Sequence, residues 1–170
     1  MKITVHGIFL LLFSVLQATW LNAAQIFGVK PNLFLVYTVI VCFFCSKGEG
    51  AVIGAVFGFF LDIITGRLLG MNTVLGMLTG FFTAYLCERV FRTSNVLIIM
   101  LTAAVMTLLY ESAYYAAAFM MIIKNADFWY TLKNTILPEL LYNAAAAPVV
   151  YLFAGKAAKF IYADKGEGVG

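Results

Sequence analysis

Short clusters of charged residues, glycine and proline divide the chain into long apolar runs. The length of these runs indicates a membrane protein. The six runs are His6–Phe27, Leu33–Ser46, Ala51–Thr65, Gly70–Cys87, Val96–Ile123 and Ile136–Phe160. A spanning helix needs about 20 mostly apolar residues, so six helices use about 120. Hydrophobic residues make up 64% of the 170 residues and charged ones only 11%, which is more apolar surface than a soluble fold of this size can bury.

The predicted fold class is therefore an all-α membrane protein, a bundle of about six transmembrane helices. We expect one polytopic transmembrane domain over residues 1–163 and a short polar tail over residues 164–170. The second and third runs reach spanning length only when their Gly- and Lys-containing flanks are counted. We expect two full spans here, and a re-entrant hairpin is the alternative for that pair. A cleaved signal peptide is the alternative for the first run, although this run is long for a signal core.

The basic residues predict the orientation of the six spans. If the amino terminus is cytoplasmic, seven of the 11 Lys and Arg residues lie inside and four lie outside. Because cytoplasmic loops are enriched in Lys and Arg, this excess favours both termini inside. The Phe128-Trp129-Tyr130 segment before the sixth span has the aromatic character of a membrane–water interface.

Small residues recur every four positions in the third and fourth runs, which predicts a stripe of small residues on each helix. The first stripe is Gly50, Gly54, Gly58, Asp62 and Gly66, and the second is Asn72, Gly76, Gly80, Ala84 and Glu88. Small residues let helix backbones approach closely in lipid. The stripes are interpreted as packing faces within the chain, with a docking face for another membrane protein as the alternative.

Several polar side chains fall inside the predicted spans: Gln17, Asp62, Glu111, Glu139 and Asn143. Such residues are costly in lipid and face the bundle interior or a cavity. Asp62 has Arg67 as a possible partner, and tyrosines flank Glu111. We interpret these groups as structural pairs rather than as an ion path, and Gln17 as a helix-to-helix hydrogen-bonding residue. Pro148 should bend the sixth helix.

The sequence lacks the usual enzyme motifs and basic arms. It has one histidine, no nucleophile elbow, no zinc-protease motif and no phosphate loop. Cys42, Cys45 and Cys87 lie in or at the ends of apolar runs, where they are interpreted as packing residues rather than a disulfide framework or a zinc site. We expect no enzymatic activity, no cofactor, no metal and no nucleic-acid partner.

The order and spacing of several motifs resemble the rod shape-determining protein MreD family. The motifs are Gln17-Ala18-Thr19, Lys30-Pro31-Asn32-Leu33-Phe34-Leu35-Val36, Gly48, Gly50, Gly54, Gly58-Phe59, Leu61-Asp62, Gly66, Leu69-Gly70-Met71-Asn72, Gly80 and the segment 143–151. The strongest block covers residues 31–80, and the resemblance extends over nearly the whole chain.

The resemblance implies a non-enzymatic scaffold of the bacterial inner membrane that acts in the cell-elongation complex. It implies association with MreC and, through the complex, with MreB, RodA and its transpeptidase partner, which together build lateral peptidoglycan. The family's fold is thought similar to the substrate-binding subunit of energy-coupling-factor transporters. That likeness supplies the alternative function, a membrane subunit that binds a vitamin or a metal for transport.

Overall fold

The protein is described from a computed structural model that covers residues 2–19, 25, 28–65, 68–90, 95–121 and 128–162. This part of the chain forms six helices: α1 (Lys2–Ala18), α2 (Leu33–Cys42), α3 (Lys47–Thr65), α4 (Met71–Arg89), α5 (Val96–Met121) and α6 (Phe128–Ile161). The predicted all-α class is confirmed. The predicted tail at 164–170, and the Gly66 and Arg67 positions, lie outside the described residues.

Three helices are long and apolar enough to cross a membrane, namely α3, α5 and α6. Helix α4 is as long as α3, at 19 residues, but it carries more polar side chains. Helix α1 has 17 residues and is a shorter apolar helix. Exposed Ile, Leu, Val and Phe side chains cover the outside of the bundle, which is the surface expected to face lipid.

The second run forms a helix much shorter than the predicted span. Helix α2 has ten residues, which is about 15 Å at a rise of 1.5 Å per residue and roughly half of the hydrocarbon core. Every residue from Leu33 to Cys42 is buried. Because the neighbouring helices shield it from lipid, α2 does not need the length of a lipid-facing span. The expectation of a full-length second helix is therefore corrected, whereas α3 reaches full length.

Helix α6 begins at Phe128, eight positions before the predicted start at Ile136. The helix passes Pro138 because the turn before it widens: the Leu137 amide donates to the carbonyl of Leu132, five residues back, in a π-helical turn. A second π-helical turn covers Tyr151–Gly155, after Pro148. Wider turns of this kind accommodate a proline that cannot donate a backbone hydrogen bond.

Helix α2 lies at the centre of the bundle and packs against α3, α4, α5 and α6. Its side chains form much of the hydrophobic core, with Phe34, Tyr37 and Phe57 in ring contact. The short link before α4 ends at Gly70, whose φ of 87° lies in the left-handed region that favours glycine. This link makes α3 and α4 antiparallel neighbours, as the sequence predicts.

Candidate functional site

The glycine stripes of α3 and α4 face each other at backbone contact distance. A Cβ on Gly50 would lie 2.7 Å from the carbonyl oxygen of Gly80. A Cβ on Gly54 would collide with the carbonyl of Gly76, and one on Gly58 with that of Asn72. Because this interface has no room for a methyl group, its described glycines are occupied by packing within the chain.

Asp62 ends the described part of the α3 stripe and is only 2% exposed. Its Oδ1 accepts hydrogen bonds from the Asn72 backbone N (3.1 Å) and Nδ2 (3.0 Å). Its Oδ2 accepts from the Thr73 backbone N (2.9 Å) and Oγ1 (2.6 Å). Since Gly70 has no side chain to cap α4, the carboxylate of Asp62 caps that helix from α3, where the helix dipole favours negative charge. Arg67, the possible partner of Asp62 named from the sequence, lies outside the described residues.

Asn72 extends this network to α5. Its Oδ1 accepts a hydrogen bond from the Tyr110 hydroxyl at 2.6 Å, and both residues are buried. Tyr110 is one of the tyrosines that flank Glu111 in the sequence, but its hydroxyl donates to Asn72. Asp62, Asn72 and Tyr110 therefore connect three helices through buried polar contacts, which rigidify a bundle when fully satisfied.

The amino terminus of α2 lies inside the bundle and is capped by side chains from two other helices. The Asn32 amide donates to Asn143 Oδ1 at 2.7 Å, and the Leu33 amide donates to Gln17 Oε1 at 3.3 Å. Asn32 Oδ1 accepts from the Leu35 amide at 3.1 Å. Away from water, unpaired backbone N–H groups cost several kcal/mol each. These caps therefore allow a short helix to begin within the membrane domain.

Gln17 and Asn143 also make a second hydrogen bond each. Gln17 Nε2 donates to the Pro31 carbonyl at 3.2 Å, and Asn143 Nδ2 donates to Thr107 Oγ1 at 3.0 Å. Gln17, interpreted from the sequence as a helix-to-helix hydrogen-bonding residue, connects α1 to backbone groups at the start of α2. The Asn32 cap was missed, although an Asn directly before an apolar run is a helix-start signal.

A polar cavity of about 620 Å³ lies beside these two networks. Polar side chains predominate in its described lining: Gln17, Gln25, Lys30, Asn32, Thr65, Asn72, Tyr110, Glu111, Tyr114, Tyr115, Asn134, Thr135 and Glu139. The cavity brings together Glu111 and Glu139, which the sequence places in different spans. Both carboxyl groups therefore face a cavity rather than lipid, as expected for ionisable residues in a membrane domain.

A second polar cluster lies at the other end of the bundle, around the single histidine. The His6 ring nitrogens Nδ1 and Nε2 lie 2.7 Å from the Tyr37 hydroxyl and 3.1 Å from the Tyr162 hydroxyl. Lys2 Nζ forms a salt bridge of 3.1 Å with Glu49. The sequence predicts no structural role for His6. A lone histidine near the amino terminus gives no periodic signal that would connect it to residues 31 and 156 positions away.

The described residues contain no group of three or more His, Cys, Asp or Glu side chains that could hold a metal ion. Cys42 and Cys45 are buried and Cys87 is half-buried, and all three are free thiols. Their surroundings are mainly apolar, since Cys42 and Cys45 belong to the hydrophobic core. The cysteines thus contribute packing rather than a cross-link.

Comparison with known proteins gives one family. No curated protein and no solved structure matches the chain significantly, so the likeness to an energy-coupling-factor subunit stays a prediction. The family model for the rod shape-determining protein MreD matches residues 2–160. That range includes the glycine stripes, the Asp62 cap, the α2 caps and both cavity carboxyls, and it covers nearly the whole chain. The chain belongs to the MreD family of rod shape-determining membrane proteins.

Proposed function

We propose that the protein is a non-enzymatic scaffold of the bacterial cell-elongation complex. The observation that carries this proposal is the family match over residues 2–160. It is supported by an architecture that, in the described residues, is almost entirely helical, with three helices long and apolar enough to cross a membrane. The described polar networks connect helix to helix or cap helix ends, which are structural tasks.

The proposed partners are MreC and, through the complex, MreB, RodA and its transpeptidase partner. We propose that the single membrane helix of MreC packs on an apolar flank of the bundle. The glycines at the α3–α4 interface are buried against each other, so they are not available for this contact. Exposed apolar side chains on the outer faces of the helices, such as Leu11, Val15, Leu97 and Leu101, are of the kind that packs on a partner helix in lipid.

The proposed location is the inner membrane, with both termini in the cytoplasm. Its support is that basic residues far apart in sequence lie at one end of the bundle. Lys2 contacts Glu49 and the Tyr162 ring, Lys47 contacts Glu88, and Lys159 lies over the Phe44 ring. Basic residues gathered in this way are expected on the cytoplasmic side.

Affinity purification from native membranes in mild detergent tests the scaffold function. The tagged chain should recover MreC and the lateral peptidoglycan synthesis proteins. An unrelated polytopic protein of the same membrane, tagged in the same way, should not recover them. Recovery of a pair of ATPases instead would contradict the scaffold and identify a transporter subunit.

A further inference from the structure

The charges around the polar cavity are unequal. Its described lining contains two carboxyl groups, on Glu111 and Glu139, and one amine, on Lys30. Carboxyl groups therefore outnumber amines in this described lining. A third carboxyl group, on Asp62, is hydrogen-bonded to the lining residue Asn72. The described lining therefore favours a cation over an anion.

The two helix amino termini beside the cavity do not reverse this preference. Such termini often bind phosphate or carboxylate through free N–H groups. At α4 the position is already taken by Asp62, which accepts from the first backbone amides of the helix. At α2 the amides of Asn32, Leu33 and Leu35 donate to side-chain oxygens. These amides are engaged within the protein and offer no anion site.

Three tyrosines stand next to the carboxyls in the lining. Tyr110 directly precedes Glu111 on α5, and the adjacent Tyr114 and Tyr115 follow about one helical turn later. Aromatic rings combined with carboxylates recognise ammonium groups through cation–π attraction and charge-assisted hydrogen bonds. Amides and hydroxyls, including those of Asn134 and Thr135, supply hydrogen-bond partners for the rest of a ligand.

We propose that this cavity is a binding site for a polar ligand that carries a protonated primary amine. A volume of about 620 Å³ lies within the range of small-molecule sites. The ammonium group would sit between Glu111 and Glu139, against the tyrosine rings, and the polar body would contact the amides. The ligand is either a soluble amine or the ethanolamine headgroup of a lipid, since both present the same chemistry. This site is separate from the scaffold function and does not depend on it.

Equilibrium dialysis of the purified full chain with radiolabelled 1,5-diaminopentane tests whether the ligand is a soluble amine. The chain should bind the diamine, and Glu111→Gln with Glu139→Gln together should weaken binding by at least tenfold. Glu88→Gln is the matched control, because Glu88 is an exposed carboxylate that pairs with Lys47 away from the cavity. Native mass spectrometry tests whether the ligand is a lipid headgroup. The protein is first incubated with equal amounts of phosphatidylethanolamine and phosphatidylglycerol.

Competition on the unaltered protein keeps the proposal testable if the double variant fails to fold. Unlabelled diamine should displace the label, whereas 1,5-pentanediol, which has the same length without charge, should not. Binding of the diamine alone identifies a soluble amine, and preferential retention of phosphatidylethanolamine alone identifies the lipid headgroup. The proposal is overturned if neither ligand binds, if the diol competes equally, or if the folded double variant binds like the unaltered chain.

Discussion

Asp62 caps helix α4 at Asn72 although the two residues belong to different helices. Asp62 Oδ1 accepts from both the backbone N and the side-chain Nδ2 of Asn72, at 3.1 and 3.0 Å. One buried carboxylate thus joins the end of the glycine interface nearest Asp62 to the start of the next helix. Four hydrogen bonds to Asn72 and Thr73 satisfy its lone pairs, which explains how a charged group is tolerated in the membrane domain.

Replacing Asp62 by Asn should destabilise the bundle by about 1–3 kcal/mol, the cost of a buried donor left without a partner. Asn has an NH₂ group, with two donor hydrogens, in place of one acceptor oxygen, so this group would face the donors of Asn72 or Thr73. Thermal unfolding in detergent measures the loss. Glu88→Gln, which removes an exposed salt bridge to Lys47, should cost at most about 1 kcal/mol. Equal stability of the two variants would show that the cap is dispensable.

Gly54 and Gly48 form a matched pair on one helix. A Cβ on Gly54 would collide with the backbone of Gly76, whereas one on Gly48 would meet nothing within 4 Å. Gly54→Ala should therefore cost about 1–3 kcal/mol through overpacking. Gly48→Ala should be neutral or slightly stabilising, because alanine is the better helix former. Unfolding of the two variants under the same conditions measures the difference, and a neutral Gly54→Ala would refute the close approach of α3 and α4.

Replacing Asn143 by Leu should release the amino terminus of α2. The Asn32 amide would lose its acceptor, and Thr107 would lose a donor. Hydrogen–deuterium exchange should rise in peptides that cover residues 32–38. Asn134→Leu is the control, since Asn134 is exposed and bonds only a carbonyl one turn away on its own helix. Unchanged protection of α2 in Asn143→Leu would contradict the cap.

The orientation is tested by tags at both termini. Both tags should be protected from protease added outside intact inner-membrane spheroplasts and cleaved after lysis, as the excess of basic residues at one end predicts. A reporter in the 91–95 connection, between α4 and α5, should behave like the termini. Cleavage of one terminal tag from outside would require an odd number of crossings and would exclude the proposed arrangement.

The sequence predicts the fold class, the antiparallel pairing of α3 and α4, and the residues of their interface. These features depend on local periodicity: apolar runs mark helices, and glycine every fourth residue marks one close-packed face. Local periodicity does not predict the cavity or the caps that come from other helices. Gln17, Asn32 and Asn143 come from three separate segments. They meet because α2 begins inside the bundle.

The length of α2 could not be predicted from the sequence either. Apolar composition cannot distinguish a helix that is buried by its neighbours from one that faces lipid. Leu33–Cys42 is apolar in either case, and only its complete burial explains why ten residues suffice. The start of α6 was misplaced for a related reason, since polar residues such as Lys133 and Asn134 lie within its wide first turns.

Depletion of this chain in its own bacterium, followed by measurement of cell shape, tests the central claim most directly. If the bundle acts in cell elongation, depleted cells should lose their rod form and become round, and expression of the unaltered chain should restore it. Asp62→Asn should restore rods less well than Glu88→Gln at equal membrane levels. Cells that keep their rod shape and width after complete depletion would contradict the account.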